Sequence, residues 1–176
     1  MRDLMVKKGS KANKNISIVR FLLFYIVLMG LFVLLIGLEP IKKIVDINGL
    51  YTTMIVHLSN LALKPFGIVQ GIHGSVITLQ GLALDVRFGC NGLEAFLIYT
   101  VAILSFPAGI GKKMIGIIGG FIILQVLNVI RIAGLGLSGI YLRQYFYYIH
   151  IYVAQGIMIA LALICFLLWL NYATEK

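Results

Sequence analysis

The chain has 176 residues, of which 61% are hydrophobic and only 12% are charged, about half the charged fraction of a soluble globular domain. This composition excludes an ordinary soluble fold and is typical of a protein whose helices cross a bilayer. The net charge of +9 does not indicate nucleic-acid binding, because six of the fifteen Lys and Arg residues fall within the first twenty positions and no basic stripe is interleaved with exposed aromatic residues.

The first twenty residues form a basic segment directly before an apolar run. Its cationic residues are Arg2, Lys7, Lys8, Lys11, Lys14 and Arg20. Such a cluster beside a spanning helix favours the cytoplasmic side and also suits contact with anionic lipid headgroups. The run at 21–38 is long for a signal peptide and lacks a small-residue cleavage site, so we expect it to remain as the first membrane helix.

Four apolar runs predict about four membrane helices, since a span needs ~20 mostly apolar residues. They cover residues 21–38, 92–106, 114–132 and 149–170. The second run reaches only ~22 Å at 1.5 Å per residue, so we expect its helix to begin nearer Cys90 or the bilayer to thin locally. With the basic N-terminus inside, four spans leave both termini in the cytoplasm and nine of the fifteen cationic residues inside.

The predicted organisation is a cytoplasmic basic N-terminus, residues 1–20, followed by a single membrane domain, residues 21–176. Within that domain we expect segment 39–89 to lie outside the cytoplasm. Its apolar stretch 50–63 is interrupted by polar residues, which predicts an interfacial helix. The β-prone runs 75–79 and 82–86 flank Gln80 and Gly81, which predicts a short β-hairpin. The fold class is therefore an all-α membrane protein that carries one interfacial helix and one hairpin outside the membrane.

Cys90 is the first candidate for chemistry, because it stands at the head of the second apolar run. The next residues, Asn91 and Gly92, are turn or cap residues, which places Cys90 near a helix N-terminus with Arg87 close by. Unpaired backbone N–H groups at such a position favour a thiolate and can hold an oxyanion. For Cys90 alone, a small thiol buried at an interface is an equally good interpretation. Cys165 lies within the last run and is expected to pack.

Arg131 and His150 are the other two candidates, at the outer ends of the third and fourth runs. An arginine in or near a span indicates function by default, and snorkelling to the headgroups is the alternative. Asn128 lies on the same helix face as Arg131 and is expected to fix its guanidinium. For His150, an interfacial histidine among tyrosines is the alternative. Together, a thiol, a guanidinium and an imidazole at one depth are the parts of a cysteine acyl-transfer site.

Glu94 follows Cys90 by one helical turn and allows three interpretations. Its carboxylate is expected to orient His150 or Arg131, to bind a substrate amine, or to form a structural ion pair with Arg131. No clustered metal-ligand spacing occurs in the sequence, so we expect neither a metal nor a cofactor.

These motifs, taken in order, resemble those of the exosortase/archaeosortase family. In this chain they are Gly89-Cys90-Asn91-Gly92-Leu93-Glu94, Asn128-x-x-Arg131 and His150. The resemblance covers roughly residues 67–155. The third motif residue, His150, is similar to that of bacterial exosortases, because archaeosortases use arginine there. The chain looks like a short, single-domain member of the exosortase H type. Asn91 departs from the Ser or Ala that usually follows the family's cysteine.

The resemblance implies a membrane-embedded cysteine protease or transpeptidase in a bacterial inner membrane. Cys90 would form a thioester, His150 would act as the base and Arg131 would stabilise the oxyanion. The substrates would be secreted proteins with a C-terminal motif, transmembrane helix and basic tail, cleaved at the outer interface; membrane lipid is the other partner. The alternative is a non-enzymatic module, such as a small transporter or assembly subunit, with an intramembrane pair of Arg131 and Glu94.

Overall fold

The computed structural model of the chain describes residues 2–38, 47–87 and 89–175. Within these ranges the longer helices are α1 (Arg2–Gly37), α2 (Ile47–Leu63), α3 (Leu93–Ser105), α4 (Ile110–Tyr141) and α5 (Gln155–Thr174). The strands are β1 (Val69–His73), β2 (Val76–Leu79) and β3 (Leu82–Asp85). The chain is therefore mainly helical, as predicted, with a small sheet between α2 and α3.

Three helical stretches of the described residues are long and apolar enough to cross a bilayer: Ile18–Leu35, Ile110–Tyr141 and Arg143–Thr174. The predicted second span forms as α3, but it has only 13 residues and reaches ~20 Å. It does not extend to Cys90, because its N-cap Gly92 has a φ of +82°, which interrupts the helix. The predicted count of four spans therefore stays a prediction.

The ends of α3, α4 and α5 meet at one level, opposite to Cys90. The Lys113 ammonium donates to Leu104 O at the end of α3, 2.8 Å away. The Lys112 ammonium donates to Ala173 O near the end of α5, 3.1 Å away. Both lysines lie in the first turn of α4, so all three helices share an end that carries positive charge. A positive-inside arrangement would place this end at the cytoplasmic face.

Helix α4 is longer than predicted, since it runs to Tyr141 rather than to 132. Two glycines in its last third, Gly136 and Gly139, are contact points for the sheet. A Cβ atom at Gly136 would lie 3.0 Å from Leu79, and one at Gly139 would lie 2.2 Å from Leu82. Arg131 therefore lies within the helix, ten residues before its end.

The sheet is three-stranded and antiparallel, in the order β1-β2-β3. The predicted hairpin is confirmed, because β2 pairs with β3 around Gln80 and Gly81, with Leu79 opposite Leu82. Strand β1 was not predicted from the sequence. Its register with β2 is irregular between Val69 and Gly71, and its residues do not alternate between buried and exposed.

An outer core forms where α2 and the sheet pack on the last third of α4. Its buried residues are Ile55, Val56, Leu63, Ile68, Ile77, Leu79, Leu84, Val86 and Ile132. Helix α2 is therefore confirmed as a helix with one buried face, and its other face exposes Leu50 and Leu61. Its predicted place at the membrane interface stays a prediction, and part of the predicted outer segment, residues 39–46 and 88, lies outside the described residues.

A second core forms among α3, α4 and α5, on the membrane side of the sheet. It includes Ala95, Tyr99, Ile103, Leu124, Met158, Ala162 and Trp169. Close approach depends on Gly120, where a Cβ atom would lie 2.0 Å from the Tyr99 ring. The turn that carries Cys90 connects the outer core to this membrane core, so its position is defined from both sides.

Candidate active site

Cys90 lies in a tight turn between β3 and α3. The backbone N–H groups of Cys90 and Asn91 both donate to Arg87 O, over 2.8 and 2.9 Å. The helix begins only at Leu93, whose N–H donates to Asn91 Oδ1 over 3.1 Å. Cys90 therefore precedes the helix instead of standing in its first turn, and one of the helix amides expected to favour a thiolate is already occupied.

The Arg87 side chain does not approach Cys90, although the sequence suggested that its charge would. It forms an ion pair with Asp85 over 2.5 Å and is largely exposed. Asp85 also accepts a hydrogen bond of 2.6 Å from the Ser75 hydroxyl. The Ser75 hydrogen bond, with the Arg87 charge in addition, lowers the pKa of Asp85. These contacts tie the end of β3 to the strand beside it, just before the turn.

Gly92 allows α4 to approach the turn closely. Its φ of +82° lies in the left-handed region, which side chains other than glycine adopt at a cost. A Cβ atom there would also lie 2.7 Å from Asn128 Cγ. Asn128 Nδ2 donates to Asn91 O over 2.6 Å. Asn128 therefore holds the Cys90 turn. Its position on the helix face predicts a contact with the Arg131 guanidinium, but among the described residues its side chain binds Asn91 instead.

Asn91 is fully buried and ties the turn to α2. Its Nδ2 donates to Asn48 Oδ1 over 2.9 Å and to Thr52 Oγ1 over 3.0 Å. The sequence suggested Asn91 as a turn or cap residue, and its Oδ1 does accept from the N–H of Leu93. Asn48 and Thr52 were not predicted. A polar residue in an apolar helix was their only signal, and it did not show which partner they bind.

His150 lies beside the thiol, with 3.6 Å between Cys90 Sγ and His150 Nε2. It is carried by a π-helical segment, Ile149–Ala154, that leads into α5. Such wide turns are frequent at functional sites, and this one sets the direction from which the imidazole meets Cys90. Two residues 60 positions apart in the chain, which the sequence placed only at a similar depth, are thus in contact.

Phe146 supports the imidazole in place of a carboxylate. The rings of Phe146 and His150 are stacked, with centroids 5.9 Å apart and planes at 8°. Within the described residues, His150 Nδ1 is buried without a hydrogen-bond partner. The orientation of the ring therefore depends on stacking and on the contact with Cys90. Phe146 was missed from the sequence, where it is one aromatic residue among several.

Arg131 contacts the same cysteine from α4. Its Nη2 donates to the backbone carbonyl oxygen of Cys90. The guanidinium is also close enough to interact electrostatically with the Cys90 thiol and with His150. In the described part of the chain its Nε is buried without a hydrogen-bond partner. One arm of the fork thus holds the turn, and Nε remains a donor without a partner among the described residues.

Glu94 does not take either of the structural roles expected of it. Among the described residues it forms no ion pair with Arg131 and no hydrogen bond with His150. Glu94 and Arg131 instead line a small cavity of about 40 Å3, together with Gln155. The Arg131–Glu94 pair of the non-enzymatic alternative is therefore not formed, and binding of a substrate amine stays a prediction.

The arrangement brings a base and a cation into contact with the residue that carries the nucleophile. A thiol beside an imidazole can lose its proton and attack a carbonyl carbon. A half-buried guanidinium bound to the same residue can stabilise negative charge on sulfur or on a developing oxyanion. The three predicted catalytic residues are together, Asn91 makes the cap contact expected of it, and Asn128 and Glu94 differ from expectation in the contacts that they make.

The chain is similar to one family of known proteins. A family model described as transmembrane exosortase matches residues 12–170. The match includes every candidate residue and all of the helices that carry them. No curated protein and no solved structure gives a match.

Proposed function

Because the chain belongs to the transmembrane exosortase family, we propose that it is a membrane-embedded cysteine transpeptidase or protease with Cys90 as its nucleophile. The distance of 3.6 Å between Cys90 Sγ and His150 Nε2 carries this proposal. Catalytic hydrogen bonds are often this long before substrate binds. The Arg131 contact with the carbonyl oxygen of the same cysteine supports it further.

The first step transfers an acyl group to the enzyme. His150 Nε2 takes the proton of the Cys90 thiol, and the thiolate attacks the carbonyl carbon of the scissile peptide. A C–S bond forms, and Arg131 stabilises the negative oxygen of the tetrahedral intermediate. The intermediate collapses as the C–N bond breaks, and His150 gives its proton to the leaving amine. The product on the enzyme is a thioester of Cys90.

The second step releases the acyl group. An amine or water gives a proton to His150 and attacks the thioester carbon. The C–S bond then breaks, and His150 returns the proton to the sulfur of Cys90. With an amine the product is a new amide, so the enzyme acts as a transpeptidase; with water it acts as a protease.

The proposed substrates are secreted proteins with a C-terminal sorting signal, made of a recognition motif, a transmembrane helix and a basic tail. Cleavage takes place at the outer surface of a bacterial inner membrane. The distance along α4 supports this depth, because the rise from Lys113 to Arg131 is ~27 Å, close to the ~30 Å of a hydrocarbon core. With the lysine end of the bundle inside, Arg131 reaches the outer boundary.

Substitution of Cys90 tests the proposed function. A secreted protein with such a C-terminal signal, taken from the same genome, is expressed together with the enzyme in membranes. We expect Cys90→Ala and Cys90→Ser to stop processing of this protein. We expect Cys165→Ala to process it at the wild-type rate, because Cys165 packs within the membrane core. Processing by Cys90→Ala at the wild-type rate contradicts the proposal and favours a non-enzymatic module.

A further inference from the structure

An apolar groove lies between α1, α3 and α5, at the depth of the membrane core. Its volume is about 330 Å3. Residues of α3 and α5 form its floor and one wall, among them Ala95, Ile98, Ala102, Ala162 and Leu163. The other wall is α1, whose apolar stretch Ile18–Leu35 has no buried residue. Helix α1 therefore bounds the groove with residues that are half-buried or exposed.

The groove leads to the candidate active site. It shares Ala95, Ile98 and Ile159 with the small cavity that Glu94 and Arg131 line. Arg131 in turn contacts Cys90. A mainly apolar groove thus adjoins a cavity that is lined by Gly89 and Gly92, the glycines on either side of Cys90 in the chain, and by Arg131.

The shape of the groove suits one face of a helix. On α3 the lining residues Ala95, Ile98 and Ala102 repeat at helical spacing and cover two turns, or ~10 Å. A helix 10–12 Å wide displaces on the order of 1000 Å3 over that length, so the groove seats one face of a helix and not its whole body. Alanines at Ala95, Ala102 and Ala162 allow a helix backbone to approach closely, as small residues do between membrane helices.

We propose that this groove seats the membrane helix of the substrate, so that the chain leaving its outer end reaches Cys90. The inference rests on the proposed function and adds where the substrate binds. In hydrocarbon a polypeptide must satisfy its backbone groups internally, and this requires a helix for a single segment. A lipid tail also suits an apolar lining, but the continuity with the Cys90 site selects an occupant that can deliver a peptide bond there.

Photo-crosslinking tests which molecule occupies the groove. A photoreactive amino acid replaces Leu163, which lines the groove, or Leu168, which lies on the same helix outside it. The two leucines are 57% and 64% exposed, so they form a matched pair. In membranes that contain the sorting-signal protein, we expect Leu163 to crosslink to it and Leu168 not to. Crosslinking of Leu163 to lipid alone, or to a second copy of this chain, overturns the inference.

A bulky residue in the groove gives an independent measurement. We expect Leu163→Trp to lower substrate processing by about tenfold or more, and Leu168→Trp to leave it within about twofold of wild type. Alkylation of Cys90 by a small membrane-permeant maleimide is expected to be unchanged in both variants, because neither touches the turn. Processing by Leu163→Trp at the wild-type rate overturns the assignment of the groove as the substrate-helix site. Processing by Cys90→Ala overturns the proposed function instead, and crosslinking at Leu163 still tests the groove.

Discussion

At the scale of single residues, the site is defined by two contacts to Cys90 and one to His150. Arg131 binds the carbonyl oxygen of Cys90, and His150 meets its sulfur. Phe146 stacks on the face of the imidazole, whereas in the catalytic triads of other hydrolases a carboxylate orients the ring through a hydrogen bond at Nδ1. A stacked ring restrains the plane of the imidazole without adding negative charge beside the thiolate. Each of these contacts can be removed separately, which makes their roles measurable.

The planar fork of Arg131 is expected to matter beyond its charge. Lysine keeps the charge but cannot bind the Cys90 carbonyl and also present a second fixed donor. We therefore expect Arg131→Lys to lower processing by more than about tenfold, which corresponds to ~1.4 kcal/mol. Arg143→Lys is the control, because Arg143 is exposed. Equal processing by the two variants would indicate that Arg131 only anchors the helix at the membrane surface.

Loss of the Phe146 stacking is expected to have a smaller effect on the rate of processing. Aromatic pairs contribute ~0.5–1.5 kcal/mol beyond their buried area, so Phe146→Leu is expected to slow processing by about two- to tenfold. Phe146→Tyr keeps the ring and should restore most of the rate. Because Phe146 also packs on the outer core, the amount of folded protein in the membrane is measured for each variant. A slow rate that the Tyr variant does not restore would show that stacking is not the cause.

At the scale of elements, the Cys90 turn is held between α2 and α4. Asn128 approaches it from α4 over Gly92, and Asn48 with Thr52 approaches from α2 through Asn91. All of these partners lie outside α3, the helix that follows the cysteine. The position of the nucleophile therefore depends on how the outer core packs against the membrane core, and a change on α2 is expected to reach the reaction.

Thr52 is the best test of this dependence. In Thr52→Val the Asn91 amide loses one buried acceptor, and a lost buried partner costs ~1–3 kcal/mol. We expect processing and Cys90 alkylation both to slow by about tenfold, with Thr52→Ser restoring them. Thr53→Val, one position along, is the control, because the Thr53 hydroxyl is exposed and donates to Gly49 O within its own helix. Slower processing with unchanged alkylation would place the effect away from the Cys90 turn.

At the scale of the whole molecule, a membrane core and an outer core are joined by α4 and by the Cys90 turn. Helix α3 decides the topology, since it has only 13 residues but ends level with Lys113 of α4. If α3 crosses, the chain has four spans and the C-terminus returns to the cytoplasm. If it does not, three spans leave the C-terminus outside. The predicted single domain of residues 21–176 stays a prediction.

We expect α3 to cross, because the shared lysine end gives it an inner terminus. A topology reporter fused after Thr174 should therefore report the cytoplasm, and one inserted in the Gln80–Gly81 turn should report the outside. In spheroplasts, an impermeant thiol reagent should label Cys90 and not Cys165. If a C-terminal reporter is active on the outside, the four-span arrangement is wrong. Helix α3 would then enter the membrane only part of the way.

Local patterns were sufficient for the helices and the β2–β3 hairpin, and they placed Cys90, Arg131 and His150 near one depth without showing that the side chains meet. They were insufficient where a distant partner decides the outcome. Helix α4 continues to Tyr141, beyond its predicted end, and its Gly136 and Gly139 lie against the sheet. Asn128 turns to Asn91 rather than to Arg131, because Gly92 leaves room there. The helix periodicity places a residue on a face, but only packing shows which of its neighbours it binds.

The most direct measurement of the central claim is the capture of an acyl-enzyme on Cys90. Membranes that contain the wild-type enzyme and the sorting-signal protein are depleted of amine acceptors, treated with acid and analysed by mass spectrometry. The account predicts a substrate fragment attached to Cys90 that hydroxylamine releases, absent in Cys90→Ala and reduced in His150→Ala. Efficient cleavage of the substrate by the Cys90→Ala enzyme would contradict it.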